Sequence, residues 1–391
     1  MSNFNQYTVG WICAVDTEFI AAEMMFDRIL EEPDDISPKD PNGYKFGQIE
    51  GHNVVVSLLP HCQHGISSAT ATVKDMLRSF PIRHVLMVGI AGGAPNLDDD
   101  IDIRLGDVVV SSPGYSNGGV LHYGYGRKVQ DEADPLRFET TGFLNQPPMS
   151  MLNAMNLLKA THQMKGHLIQ EIIQEALGKW PELKQELRRK LERPSIKTDK
   201  LYKSHVIHVN GQTTCDNCGY QKSTLVSRPP RDLDDDDPAI HYGLVASSDS
   251  LMEDAKMRDR LSKEKGVLCF ETEAAGIMNH VPCIVIRGVW YYSDSHKNDI
   301  WQGYAAMTAA AYAKELLGQL RPDRVEAQIR LIDRIDEAFS SVNKGVQSIK
   351  MDLHQDNTTH WLLPSGPSIN HNTVQEQHHH ETNQWLLRNG P

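Results

Sequence analysis

Two glutamates, Glu271 and Glu273, stand two residues apart beside Ala274, Ala275 and Gly276, just after a short apolar run. Carboxylates next to a buried strand are costly to place unless they bind something, so the pair marks a site. A second apolar run, Cys283 to Ile286, reads as a strand buried on both faces and ends at Arg287-Gly288. Tyr291, Tyr292, Ser293, Asp294 and His296 follow it. A loop at the carboxyl end of an α/β sheet carries chemistry at that place. A further acidic cluster, Asp16-Thr17-Glu18, closes the strand-like run Tyr7 to Val15 ahead of a helical pattern, Phe19 to Leu30. Asp16 and Thr17 have the makings of a helix cap, with Glu18 at the helix's positive end; Glu18 is also a candidate for the site.

These residues need a scaffold, and the pattern supplies one. Val54 to Leu59 and Val85 to Val88 read as strands, with a close-packed helix over Gly65 to Arg78 between them. The third strand runs into Gly89-Ile90-Ala91-Gly92-Gly93, where absent Cβ atoms let backbone N–H groups approach an anion, a ribose or a base. This is neither a P-loop nor G-x-G-x-x-G. Arg104 to Ser111 is a turn into another strand, and Asp107 is expected to satisfy turn backbone there. Tyr242 to Ala246 is a strand ending at Ser247-Ser248-Asp249, and Ile300 to Leu320 is an alanine-rich helix that closes the domain.

Between these elements, about 149–240 reads as an insertion. Met149 to Glu192 is helical in pattern, and Leu201 to Arg231 contains His205, His208, Cys215 and Cys218. A single C-x-x-C with upstream histidines is an incomplete zinc set. No metal is assigned on it; Cys215, Cys218 and His208 are the residues that would hold one. Arg228 and Arg231 bracket Pro229-Pro230 on a stiff loop. They could clamp substrate phosphates or simply balance the neighbouring run of aspartates.

Beyond Arg321, Val325, Ile332, Phe339, Val346 and Leu353 recur every seven residues, with Ile335, Val342 and Ile349 at the complementary positions. Residues 321–355 therefore read as an amphipathic helix, either a coiled coil or a helix folded back on its own domain. Residues 356–391 are polar, apart from two W-L-L segments at Trp361 and Trp385. A net charge of −12 argues against a nucleic-acid partner. Apolar runs far shorter than a bilayer argue against a membrane span. Six scattered cysteines and an N-terminus without a signal-peptide pattern point to a soluble, cytoplasmic protein.

The run F-E-T-E-A-A-G, the strand ending in R-G, the segment R-L-G-D-V-V-V-S and the later D-S-H-K-N-D and W-Q-G-Y-A-A resemble the purine nucleoside phosphorylase and methylthioadenosine nucleosidase superfamily. They are closest to the nucleoside-phosphorylase-like domain at the N-terminus of fungal NLR-type proteins. The polar tail resembles the linker before a NACHT or NB-ARC ATPase, and no Walker A motif is present. The resemblance implies a three-layer α/β/α sandwich over 1–320 and cleavage of the N-glycosidic bond of a purine nucleoside or nucleotide. It implies no cofactor. By residue-wise carry-over, Glu273 holds the ribose hydroxyls, Glu18 activates water, and Ala91, Gly92, Gly93, Asp249, Thr272 and Arg287 line the pocket.

Two positions depart from that pattern. The acid that protonates the leaving purine should be an aspartate four residues after Arg287; Tyr291 stands there, and Asp294 is the nearby substitute. Thr272 replaces the methionine usual beneath the ribose. The place of the phosphorylases' G-D-P-x-R reads A-V-D-T-E, whose carboxylates would repel phosphate, so hydrolysis is favoured over phosphorolysis. The rival is a catalytically impaired sensor that binds nucleoside or nucleotide. Homo-oligomerisation and an NLR-type signalling partner are the associations the resemblance implies.

Overall fold

The computed structural model describes residues 6–340 apart from 35, 115, 131–137, 209–214, 216–217, 219–221, 232–236, 298 and 338–339. The chain forms one compact unit over Met1–Asp333 and a second over Arg334–Pro391. Of the second unit, only 334–337 and 340 are described.

The first unit is built on long apolar runs that bury both faces. All five residues of β1 (Val9–Cys13) are buried, as are all eight of β12 (Ile284–Tyr291). Strands of this kind are stable only under helices on either side. β1 pairs in parallel with β4 (His52–Leu58) and with β5 (His84–Gly93). β5 pairs in parallel with β12, which runs antiparallel to β6 (Val108–Ser111). β10 (Ile240–Ser247) lies parallel to both β6 and β11 (Val267–Glu271). β11 then returns to β5, antiparallel, at Cys269 with Gly93 and Phe270 with Gly92. Five strands thus close into a ring, while β1, β4, β3 (Tyr44–Ile49) and β2 (Arg28–Ile29) continue as an open wing.

The fold is α/β with helices layered on this sheet, as expected. α1 (Asp16–Met24) packs on α8 (Gln302–Gly318), and α2 (Ile66–Ser79) packs on α7 (Ala274–Met278). α8 is buried nearly all round, which its small residues allow. It lies so close to β12 that a Cβ at Gly288 would strike the Ala305 carbonyl. Between β10 and β11 in the chain, α6 (Ala255–Lys265) starts at Asp254, whose Oδ1 accepts from the N–H groups of Lys256 and Met257.

The helical insertion consists of α3 (Met149–Lys165), α4 (Ile169–Lys179) and α5 (Gln185–Leu191). It is joined to α8 through Glu315, whose Oε1 lies 3.3 Å from His162 Nε2 and accepts from the Leu168 N–H at 3.1 Å. Three short strands expected from no pattern, β7 (Val120–His122), β8 (Gly126–Lys128) and β9 (Phe138–Thr140), precede it. At the other end the compact unit extends past residue 320. α9 (Pro322–Glu326) buries Val325, the chain turns over 327–330, and the Leu331 N–H donates to the Ile82 carbonyl. The first heptad position therefore belongs to this unit. Phe339, Val342, Val346, Ile349 and Leu353 lie outside the described residues, as do 356–391.

Candidate active site

One guanidinium organises the site. Arg287 sits at the middle of β12, fully buried, with Nη2 2.5 Å from Glu271 Oε2 and 3.5 Å from Glu273 Oε2. Its Nη1 lies 3.6 Å from Glu18 Oε1. Three carboxylates from two parts of the chain thus converge on one cation. The surrounding carboxylates hold Arg287 firmly protonated against the desolvation that opposes its charge.

Each carboxylate is also seated by backbone. Glu271 ends β11 and accepts from the N–H groups of Glu273 and Ala274 at 3.1 and 3.0 Å, fixing the start of α7. In the sequence Glu271 is marked only by its spacing from Glu273. Glu273 takes the Thr272 hydroxyl on Oε1. Thr272 is thus committed to orienting Glu273. Glu18 serves both its readings at once. Its Oε2 accepts from the Ala14 and Val15 N–H groups at 2.6 and 3.2 Å, as a helix cap does, while Oε1 accepts from Ile90 at 2.8 Å and faces Arg287.

Burial pushes Glu18 above the usual carboxylate range, with Arg287 and the backbone donors pulling the other way. Glu273 is raised as well, first by desolvation and then by Glu271 and Glu18, against the pull of Arg287. A carboxylate raised by burial beside a cation is what a proton-accepting base needs near neutral pH.

The glycine segment differs from the expected loop. Gly89 to Gly93 continue β5 and pair with β12 and β11. The missing side chains make room for side chains instead of an anion. A Cβ at Gly89 would strike Glu18 Oε1 and lie 2.5 Å from Arg287 Nη1, and one at Gly92 would meet the Tyr291 ring at 2.7 Å. Ala91 and Gly93 are buried in the same strand. Asp249 is exposed and caps α2, accepting the Ile66 N–H at 2.8 Å over Gly65, whose φ is +98°. A cleft of about 430 Å³ opens beside it, lined among others by Ile66, Thr70, His122, Ala275 and Gly276. Glu18, Glu273 and Arg287 do not line that cleft.

The two acid candidates are both occupied. The Tyr291 hydroxyl donates to the Met252 carbonyl at 2.9 Å, and burial pushes its pKa well above the ordinary phenol value. Asp294 is buried; Oδ1 accepts the His296 N–H at 2.8 Å, and Oδ2 lies 3.9 Å from Arg258 Nη1 and 3.7 Å from His296 Nδ1.

For Arg228 and Arg231 the geometry speaks against a phosphate clamp. Arg228 donates to Asp199 at 3.0 Å and to the Tyr292 hydroxyl at 2.9 Å, and lies 3.4 Å from Asp102. Arg231 is paired twice with Asp107 and once with Asp237. Asp107, fully buried, also accepts from the Arg104 and Ala239 N–H groups and contacts His241, the structural role expected of it. Guanidiniums saturated by internal carboxylates have few donors left for a ligand.

A model of the phosphorylase superfamily matches residues 26–320. The chain belongs to that superfamily. It is 41% identical over 323 residues to a nucleotide-binding leucine-rich repeat (NLR)-like protein of Hyaloscypha variabilis, covering 82% of this chain and 30% of that one. The chain thus spans under a third of that curated relative. Among solved structures it is similar to futalosine hydrolase of Helicobacter pylori, at 16% identity and TM-score 0.49, over 81% of this chain and 99% of the other. It is also similar to the 5'-methylthioadenosine/S-adenosylhomocysteine nucleosidase of Neisseria meningitidis in complex with methylthio-immucillin-A, at 17% identity and TM-score 0.47, over 80% and 99%. Among the described residues no helix is long and apolar enough to cross a membrane.

Proposed function

We propose that this phosphorylase-superfamily chain cleaves the N-glycosidic bond of a purine nucleoside or nucleotide, with water as the acceptor. The convergence of Glu18, Glu271 and Glu273 on Arg287 carries the reading. Cleavage passes through an oxocarbenium-like ribosyl group. Glu273, oriented by Thr272, accepts the ribose hydroxyls; Glu18, raised by burial, takes a proton from the attacking water. Glu271 neutralises Arg287 and so leaves the other two carboxylates available. The Asp16 and Glu18 carboxylates at the end of β1 disfavour phosphate as the acceptor. The setting proposed is cytoplasmic, as the N-terminal module of an NLR-type protein.

A second reading rests on one specific observation. Tyr291, at the acid position, spends its proton on the Met252 carbonyl, which favours a module that binds nucleoside and turns it over slowly or not at all. Both readings are separated by incubating the protein with nucleosides and with ATP, with and without phosphate, and assaying free base. Base release independent of phosphate supports hydrolysis. Phosphate-dependent release points to phosphorolysis, and binding without release points to the sensor.

A further inference from the structure

The C-x-x-C segment is completed from the far side of the sequence. His208, Cys218 and His296 place one ligand atom each within 4.8 Å of one another. Cys218 Sγ is 3.0 Å from His208 Nδ1, and Cys215 Sγ is 3.7 Å from the same nitrogen. Around a tetrahedral zinc with thiolate and imidazole ligands, neighbouring donor atoms lie about 3.5 Å apart. His296 gives the independent sign. Its side chain is buried, and neither ring nitrogen has a hydrogen-bond partner among the described residues, an uncommon state for a buried polar group. The ring is held in place nonetheless, stacked on Tyr202 with centroids 3.8 Å apart, and Asp294 Oδ2 stands 3.7 Å from Nδ1. A carboxylate behind one ring nitrogen leaves Nε2 for a metal, the arrangement that orients ligating histidines.

We propose that His208, Cys215, Cys218 and His296 bind one zinc ion, which ties the insertion to the segment after β12. Two sulfurs and two imidazoles suit zinc by softness and by number. All four protein ligands close the coordination sphere, so the ion is structural and not a water activator. Its effect on the site is positional. His296 is two residues from Asp294, and the His208 N–H donates to Ser295 Oγ at 2.9 Å, so the ion fixes the turn that carries Asp294 and follows Tyr291. The proposal stands on these ligands alone and is independent of the glycosidic activity.

The test is metal analysis of the full chain purified without a metal-affinity tag. About one zinc per chain is expected. Exchange for cobalt(II) should give the visible bands of a tetrahedral site and a thiolate-to-cobalt charge-transfer band in the near ultraviolet. Cys215→Ser with Cys218→Ser should abolish that band and the bound zinc, and His296→Gln should weaken retention at least tenfold in a chelator competition. Changing His378, His379 and His380 to Ala should leave both signals intact. Because the cobalt spectrum is read on the unmodified protein, misfolded variants cannot mask the answer. Zinc-free protein that takes up cobalt without a charge-transfer band would overturn the proposal. So would a disulfide between Cys215 and Cys218 by thiol titration, or zinc that disappears only with the three tail histidines.

Discussion

Arg287 holds one positive charge among three buried carboxylates, so the cluster answers asymmetrically to mutation. Arg287→Met strands those carboxylates without their cation, and a loss of about 3–5 kcal/mol in denaturant unfolding is expected. Glu273→Gln and Glu18→Gln remove a charge that burial already opposes and should leave the fold intact. Both groups are raised in the folded state, so each binds its proton more tightly folded than unfolded. That contribution to stability is present below the ordinary carboxylate pKa and is lost as pH rises through the raised value. The variants should therefore flatten the dependence of Tm on pH above the ordinary carboxylate range. In activity the sign reverses. Base release by the unmodified protein should climb with pH through the raised Glu18 value, and Glu18→Gln should lower kcat by about 10²–10⁴-fold. A pH–rate profile whose acid limb sits at the ordinary carboxylate value would remove Glu18 as the base. For the acid, Tyr291→Asp supplies a carboxyl group where Tyr291 now donates to Met252. A rise in base release of about 10²–10⁴-fold is expected if proton donation limits the rate. Little gain there, with most activity lost in Asp294→Asn, would transfer the role to Asp294.

The strand ends bring these residues together, and glycine decides how closely. Gly89→Ala places a methyl group against Glu18 and Arg287, and overpacking of this kind costs about 1–3 kcal/mol. Since the atoms that must move belong to the proposed base and its cation, activity should fall further than Tm does, and equal losses in both would show that the strand, not the pair, absorbs the strain. The elements that hold the site were legible because burial wrote them plainly. β1, β5, β11 and β12 are apolar runs with chemistry at their ends, and α8 declares itself by its alanines. Others left a weaker trace. α6 is charged along most of its length and is marked only by its Asp254 cap and by Gly266 at φ +72°. β7, β8 and β9 are three residues each, too short for any period. For Arg228 and Arg231 the sequence left two readings open, because most of their carboxylate partners, Asp199, Asp102 and Asp107, come from other loops, while Asp237 alone belongs to the neighbouring aspartate run. The closeness of His296 to Cys218 is illegible for the same reason, since nothing local in the sequence ties the two together.

On the scale of the whole chain, the heptads from Ile332 to Leu353 are expected to mediate association. Val342→Asp puts an unsolvated charge in such a seam. Sedimentation should show a lower mass for that variant. An unchanged mass with a lower Tm would instead mean a helix folded on its own domain. Val325 is already buried within the first unit, so the seam would begin after it. The closure of β11 onto β5 bears on how the molecule opens. A ring of strands has no first strand to peel away, whereas the wing ends in β2, two exposed residues on β3. Amide hydrogens should therefore exchange with deuterium in order of distance from that end. β2 and β3 should exchange first through local opening, β4 and β1 later, and Gly89 to Gly93 with Ile284 to Val289 only when the molecule unfolds as a whole. The residues gathered on Arg287 would then share the slowest exchange in the protein.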